Sequence, residues 1–474
     1  MIRKFRAGCA AAALAAAAFA CAVSPAAAFD QAQEFRNYSK IAERPAEFNA
    51  PGYQLNLLPQ GAQTLLDAIT TQAGDPERLF LTDLCFSNGL ACAGDIRLND
   101  WQTGGDGKVE PVLFTARNGA TISGHVWRTR TGPKKRPGVV ITNGSVQAPE
   151  QAYWWAAQTL AKAGYVVMTW DPQNQGRSDT FGQGEDAASG ALSQLNGETF
   201  YDGTQDALDF FLSTKRVAFC PRASQTGTYH CTKQVRRVQG GLNSAYNPFG
   251  RWVDPEHLGL AGHSFGASGV SYESQVDKRV DAVVAWDNLC DATSTCAKGF
   301  KPARKLRTPA LGFSNDYGLL PLPRSKDPDP LGRSQASMAF SKAGVDTGEI
   351  NIRGGTHYEY SYIPMLPFGA TLHGIDMASW YTTAWFDKYL QGQKSADRRL
   401  LTRRWQNDTR TAAFDPGGDG NLYSYGLRSR LDIKLQGGGR FHCEDLRTGC
   451  PKMKRKDGRG PAYSYLAVAT RPEG

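Results

Sequence analysis

One serine of this 474-residue chain has neighbours that suit a nucleophile. Segment 262–266 is Gly-His-Ser-Phe-Gly and comes directly after the apolar run 258–261. This pattern predicts a buried strand that turns sharply into a helix, with Ser264 on the turn and its hydroxyl directed out of the sheet. The flanking glycines suit a place where strand and helix approach closely. Because the five-residue string is common by itself, the strand before it and the helix after it make Ser264 a candidate nucleophile.

A serine hydroxyl attacks a carbonyl only when a base takes its proton. The chain has seven histidines, and His357 is the best placed, because Gly-Gly-Thr connects it to the predicted strand 349–353. His373 is a rival that lies farther from a strand end. His125 and His263 lie within or beside strands and are expected to be structural.

An acid must orient that base, and two positions qualify for it. Asp287 follows the predicted strand 280–286, and Asp316 follows the predicted strand 309–314. Catalytic groups gather at the carboxyl ends of parallel strands. We therefore expect one of the two to be the acid and the other to be a supporting or loop-stapling carboxylate.

Backbone amides are expected to stabilise the negative charge on the attacked carbonyl oxygen. One is the amide of Phe265, directly after the nucleophile. The other is the amide of Ser145, in the turn after the predicted strand 138–142; an ordinary turn is the alternative there. Trp154 and Trp286 are candidates for lining a substrate pocket, although such residues often belong to the core.

The elements that position these residues alternate between strand and helix. The sequence therefore predicts an α/β fold, with a mostly parallel central sheet flanked by helices on both faces. Predicted strands cover 112–115, 121–127, 138–142, 165–170, 258–261, 280–286, 309–314 and 349–353. Predicted helices cover 63–71, an Ala- and Trp-rich segment between the strands 138–142 and 165–170, 197–214, the segment after Ser264, and 375–390.

The chain divides into four predicted parts. Residues 1–28 form a signal peptide, 29–105 an N-terminal extension, and 106–395 the catalytic domain, in which 215–256 is an insertion. Residues 396–474 form a C-terminal extension packed on that domain. We expect these additions to decorate one folding unit.

The N-terminus indicates export. Arg3, Lys4 and Arg6 precede an Ala-rich apolar stretch, and Ala26-Ala27-Ala28 provides a small-residue cleavage site. The mature protein is thus expected to begin near Phe29 and to be secreted, extracellular or periplasmic.

Cysteine usage agrees with an oxidising compartment. The eight cysteines after the signal peptide fall into four close pairs, for which we expect local disulfides rather than a metal site. The pairs are Cys85 and Cys92, Cys220 and Cys231, Cys290 and Cys296, and Cys443 and Cys450.

The charge of the chain indicates which classes of binding partner to expect. The formal net charge is +9, and +6 remains without the three basic residues of the signal peptide, which is modest for this length. The one dense basic run, at residues 452–456, is expected to be a solvated surface rather than a nucleic-acid site. We therefore expect no nucleic acid, no stable membrane insertion, no metal and no cofactor, and the sequence leaves the oligomeric state open.

The motifs at 262–266, at Asp287 and at 352–357 resemble the α/β-hydrolase superfamily over roughly Val109 to Leu390. Asp287, 23 positions after Ser264, and His357 are spaced as in platelet-activating-factor acetylhydrolases; as in chlorophyllases, the acid there follows the strand after the nucleophile, which favours Asp287. The bacterial cutinase and polyester-hydrolase branch is similar in secretion and in its tryptophans. Its acid comes one strand later, which favours Asp316. That branch usually carries methionine and an aromatic residue where this chain has Phe265 and Ser145.

The resemblance implies a serine hydrolase that cleaves carboxylic esters of a lipid, a small acyl compound or a polyester through a Ser-His-Asp triad and an acyl-enzyme. Two alternatives stay open. The same triad could transfer an acyl group to a cell-wall or lipid acceptor, or the chain could be a non-catalytic binding protein that kept the fold.

Overall fold

The structure is a computed structural model. It describes residues 51–80, 94–98, 101–102, 104–145, 148–190, 197–287, 289–293, 296, 300–318, 331–361, 370, 372–402, 405–406, 423–424, 426–453 and 458–459. The predicted signal peptide, residues 1–28, lies outside these ranges.

Twelve strands are present in the described part of the chain. They are β1 (Gly107–Thr115), β2 (Thr121–Thr129), β3 (Arg136–Thr142), β4 (Val166–Trp170), β5 (Val253–His263), β6 (Val280–Trp286), β7 (Ala310–Asn315), β8 (Thr347–Ile352), β9 (Trp405–Gln406), β10 (Arg430–Lys434), β11 (Arg440–Cys443) and β12 (Gly458–Arg459).

The helices include the five that the sequence predicted. They are α1 (Pro51–Gly74), α2 (Trp154–Lys162), α3 (Glu198–Leu212), α4 (Cys231–Gln239), α5 (Phe265–Val276), α6 (Gln335–Lys342), α7 (Leu372–Tyr389) and α8 (Ser395–Leu400). Short 3₁₀ helices cover Ile96–Leu98, Glu150–Tyr153, Gly184–Asp186, Gly250–Trp252 and His357–Tyr360.

Ten of the strands form one mixed sheet in the order β1-β2-β4-β3-β5-β6-β7-β8-β10-β11. Neighbours from β4 to β8 run parallel, and the pairs at both ends of the sheet are antiparallel. The expectation of an α/β fold with a mostly parallel sheet is confirmed at this level. Strands β9 and β12 form a separate two-stranded pair.

Two hydrophobic cores lie on the two faces of the sheet. On β3, Val139 and Ile141 belong to one core, which also contains Trp155 of α2 and Trp385 of α7. Val140 belongs to the other, with side chains of α3, α5 and α6. Because successive side chains of a strand point to opposite faces, helices must cover both sides of the sheet.

The C-terminal region extends this sheet. Strand β10 pairs antiparallel with β8, where Arg430 lies opposite Glu349. Strand β11 then pairs with β10 as the outermost strand. A single strand has too little periodic pattern to indicate that it joins a sheet begun more than 80 residues earlier.

Three of the four predicted disulfides are formed in the structure. They join Cys220 to Cys231, Cys290 to Cys296, and Cys443 to Cys450. The fourth predicted pair, Cys85 and Cys92, lies outside the described residues. No helix in the described ranges has both the length and the apolar character needed to cross a membrane.

Candidate active site

Ser264 occupies the turn between β5 and α5. Its backbone has φ of 56° and ψ of −120°, a positive φ that non-glycine residues rarely adopt. The Ser264 amide donates a 3.1 Å hydrogen bond to the carbonyl of Trp286 at the end of β6. The strained turn is thus tied to the neighbouring strand, and the serine side chain is only half-buried.

The two glycines of the motif have no room for a side chain. A methyl group on Gly262 would lie 2.5 Å from the carbonyl oxygen of Gly266. One on Gly266 would lie 2.2 Å from the carbonyl oxygen of Asn143. Gly266 is therefore the point at which helix α5 contacts the turn that follows β3.

His357 and Asp287 come together beside this turn. His357 begins the 3₁₀ helix after β8, and Asp287 follows β6 with a positive φ of 46°. The Nδ1 atom of His357 is hydrogen-bonded to Oδ2 of Asp287. Burial raises the pKa of Asp287, but the charge and hydrogen bond of His357 outweigh it, so this pKa lies below its usual value.

The other candidate acid, Asp316, has different partners. Its Oδ2 accepts a 2.7 Å hydrogen bond from the Gly354 amide, and its Oδ1 accepts one from the hydroxyl of Ser424. Gly354 lies in the loop between β8 and His357. Asp316 therefore fastens the loop that carries the histidine, whereas Asp287 contacts the imidazole.

The turn predicted to supply a backbone amide lies against Ser264. A methyl group on Gly144 would lie 3.2 Å from the Cβ atom of Ser264. The Gly144 amide donates to the hydroxyl of Tyr153 at 3.0 Å and is thereby occupied. Within the described chain, the amides of Ser145 and Phe265 have no acceptor, as donors to a developing oxyanion must.

The two predicted pocket tryptophans differ in their burial. The ring of Trp286 is fully buried, donates to Thr382 at 3.0 Å and packs against Trp155. Trp154 packs against His125 and Trp127. Trp286 therefore belongs to the core, whereas Trp154 is partly buried and packs against it.

His263 has a position that the sequence did not reveal. Expected only to be structural, it is 1% exposed and its ring lies 4.7 Å from that of His357. Burial and the charge of His357 lower the pKa of His263 to about 3, so it is neutral near pH 7. Its Nδ1 lies 2.8 Å from the Tyr153 hydroxyl and its Nε2 lies 2.8 Å from the His357 carbonyl oxygen.

No sequence motif or spacing indicated a role for Tyr153. It precedes the two tryptophans 154 and 155 in a run of aromatic residues, and such a run by itself indicates core packing. The rival base His373 lies in α7, and its side chain lies outside the described residues.

The hydroxyl of Ser264 has no hydrogen-bond partner among the described residues. In sites of this kind the contact between nucleophile and base often tightens only when the substrate is bound. The described ranges contain no group of three or more His, Cys, Asp or Glu side chains that could bind a metal ion. The arrangement can supply a hydroxyl, an imidazole oriented by a carboxylate, and two amide donors.

No known protein-family model matches the chain, and no curated protein matches its sequence.

Proposed function

We propose that this protein is a secreted serine hydrolase that cleaves carboxylic esters through an acyl-enzyme. Ser264 is the nucleophile, His357 the general base and acid, and Asp287 the residue that orients His357. The observation that carries the proposal is the hydrogen bond between His357 and Asp287 beside a serine with a positive φ. Backbone strain of this kind clusters at active sites.

The fold supports the same proposal. The serine follows the central strand β5, the acid follows β6 and the histidine follows β8, so all three lie at the carboxyl ends of parallel strands. Their chain order of serine, aspartate and histidine is that of α/β-hydrolases. The three disulfides are compatible with an exported protein.

The chemistry proceeds in two steps. Ser264 Oγ attacks the ester carbonyl while His357 Nε2 takes its proton, and the amides of Phe265 and Ser145 stabilise the oxyanion. His357 then protonates the leaving alkoxide, which departs as an alcohol and leaves an ester on Ser264. Water attacks this ester with His357 as base, and the acid is released as Ser264 recovers its proton.

The proposal is tested by labelling the purified mature protein with a fluorophosphonate probe and by following hydrolysis of p-nitrophenyl esters. We expect the wild type to be labelled, Ser264→Ala to lose labelling, and both Ser264→Ala and His357→Ala to lose about 10⁴-fold or more in kcat. Ser268→Ala is the matched control, because Ser268 is a half-buried serine one helical turn farther along α5.

We expect Ser268→Ala to behave as the wild type. Labelling that survives in Ser264→Ala, or a correctly folded wild type that neither reacts with the probe nor hydrolyses any ester, would refute the proposed mechanism.

A further inference from the structure

Three consecutive hydrogen bonds connect the turn after β3 to the backbone of His357. The first joins the Gly144 amide to the Tyr153 hydroxyl, the second joins that hydroxyl to Nδ1 of His263, and the third joins Nε2 of His263 to the carbonyl of His357. This hydrogen-bond chain begins in the turn after β3 and ends at the backbone of His357, the proposed base.

The donor and the acceptor of each hydrogen bond in this series can be assigned. A carbonyl oxygen can only accept, so Nε2 of His263 carries a proton, and because the ring is neutral its Nδ1 is an acceptor. Tyr153 must therefore donate its hydroxyl proton to His263 and accept from Gly144. Tyr153 and His263 are both buried, so neither has water as a substitute partner.

We propose that Tyr153 and His263 are positioning residues for the transition state. The inference rests on the proposed function, but neither residue is part of the triad or of the expected pair of amide donors. Tyr153 occupies the Gly144 amide and fixes the orientation of the turn, which leaves the next amide, that of Ser145, free for the oxyanion. His263 fixes the backbone of His357 relative to the same turn.

The neutral state of His263 belongs to this role. His357 becomes an imidazolium while the ester is attacked, and the two rings are 4.7 Å apart. A second cation at this distance in a buried site would oppose that charge. A neutral histidine avoids the repulsion and still provides the donor and the acceptor that the chain requires.

Positioning of this kind acts on the transition state more than on the bound substrate. Tyr153→Phe removes one hydroxyl and keeps the ring, so Gly144 and His263 each lose a partner. We expect kcat to fall about 10- to 100-fold, somewhat less than for the loss of an oxyanion donor itself. We expect KM to stay within about threefold, because the interactions lost are strongest in the transition state.

Tyr165→Phe is the matched control. Tyr165 is also a fully buried tyrosine whose hydroxyl donates a hydrogen bond, here to Asp387 at 2.7 Å. It lies directly before β4, at the amino ends of the parallel strands, whereas Ser264 lies at their carboxyl ends. We expect Tyr165→Phe to lower the unfolding temperature without changing kcat.

The experiment measures kcat, KM and the unfolding temperature for the wild type, Tyr153→Phe, Tyr165→Phe, His263→Phe and His263→Gln. It also measures inhibition by a trifluoromethyl ketone, which forms a tetrahedral oxyanion on the serine. We expect the ketone to lose affinity in Tyr153→Phe by about the factor lost in kcat/KM. Because glutamine retains one donor and one acceptor, we expect His263→Gln to recover part of the activity lost in His263→Phe.

Two different failures can be told apart. If the wild type hydrolyses esters but Tyr153→Phe keeps its kcat and its affinity for the ketone, as Tyr165→Phe should, the hydrogen-bond chain only stabilises the fold and the inference is wrong. If the wild type itself neither reacts with a fluorophosphonate nor hydrolyses esters, the proposed function fails and this inference fails with it.

Discussion

Ser264 and Asp287 are two of only four non-glycine residues with a positive φ among those the structure describes. Such conformations cost of order 1–3 kcal/mol each and persist only where the surroundings enforce them. Both follow central strands, and a single hydrogen bond from the Ser264 amide to the end of β6 connects the two turns. The backbone strain in the central sheet thus coincides with the side chains proposed for catalysis.

The two candidate acids can be separated at this scale by isosteric substitution. Asp287→Asn removes the negative charge that faces His357 Nδ1 and can impose the wrong tautomer on the imidazole, so we expect kcat for ester hydrolysis to fall by about 10³- to 10⁴-fold. Asp316→Asn changes a group that contacts the Gly354 amide and the Ser424 hydroxyl. For that variant we expect a loss of less than about tenfold.

Steady-state kinetics of the two variants at pH 7 provide the measurement, with circular dichroism to establish that both are folded. A larger loss in Asp316→Asn than in Asp287→Asn would assign the acid to the other strand.

At the scale of elements, β8 connects the C-terminal hairpin, which consists of β10 and β11, to the candidate site. It lies between β7 and β10, all six of its residues are buried, and its end leads to His357. Glu349 on this strand is 1% exposed and accepts a hydrogen bond from the Ser314 hydroxyl. Burial raises the pKa of Glu349 to about 8, so the folded protein carries a protonated carboxyl here at neutral pH.

This carboxyl makes the stability of the fold depend on pH. Between the ordinary pKa of a glutamate, 4.5, and about 8, the folded state keeps a proton that the unfolded state has released. The native state binds more protons, so the free energy of unfolding falls as pH rises through this window and levels off above it. We expect Glu349→Gln, which is neutral at every pH, to flatten this dependence and to raise stability at pH 8 by roughly 1–3 kcal/mol.

Urea unfolding between pH 5 and pH 9 measures this effect, and Glu185→Gln, at an exposed position, is the control. If Glu349→Gln is as pH-dependent as the wild type, or is less stable than it at pH 8, the buried carboxyl is ionised in the fold and the expectation is wrong.

At the scale of the whole molecule, the C-terminal hairpin closes one end of the sheet. The disulfide between Cys443 and Cys450 joins the end of β11 to the segment that follows it. Arg430 of β10 donates hydrogen bonds to the hydroxyls of Ser337 and Ser341 in α6 and to the carboxylate of Glu444. These contacts stabilise the edge of the sheet and lie outside the proposed chemistry.

Replacing both cysteines, in Cys443→Ala/Cys450→Ala, should therefore lower stability without impairing catalysis. We expect a loss of about 2 kcal/mol, because the bond closes a short loop, and an unchanged kcat at 25 °C. Thermal unfolding and ester hydrolysis measure the two quantities, with the wild type under reducing conditions for comparison. Lost activity in a variant that unfolds at the wild-type temperature would instead place the hairpin in the active site.

The sequence by itself determined the local elements. Strand β6 was predicted at its observed bounds, and the turn at Ser264 could be recognised because its glycines, its apolar run and its helix all lie within a few residues. Chain order and strand ends also limited the acid to two aspartates. These features depend on residues that are close in sequence, and the periodicity of apolar residues indicates such local structure directly.

Only the tertiary structure decided which aspartate faces His357. Only it revealed the series of hydrogen bonds from Gly144 through Tyr153 and His263 to the His357 carbonyl. The groups in these contacts are separated by 70 residues in the first case and by up to 110 in the second. No spacing or periodicity encodes a hydrogen bond between side chains from different strands and loops. Such pairings follow from the order of strands in the sheet and from the requirement that buried polar groups find partners.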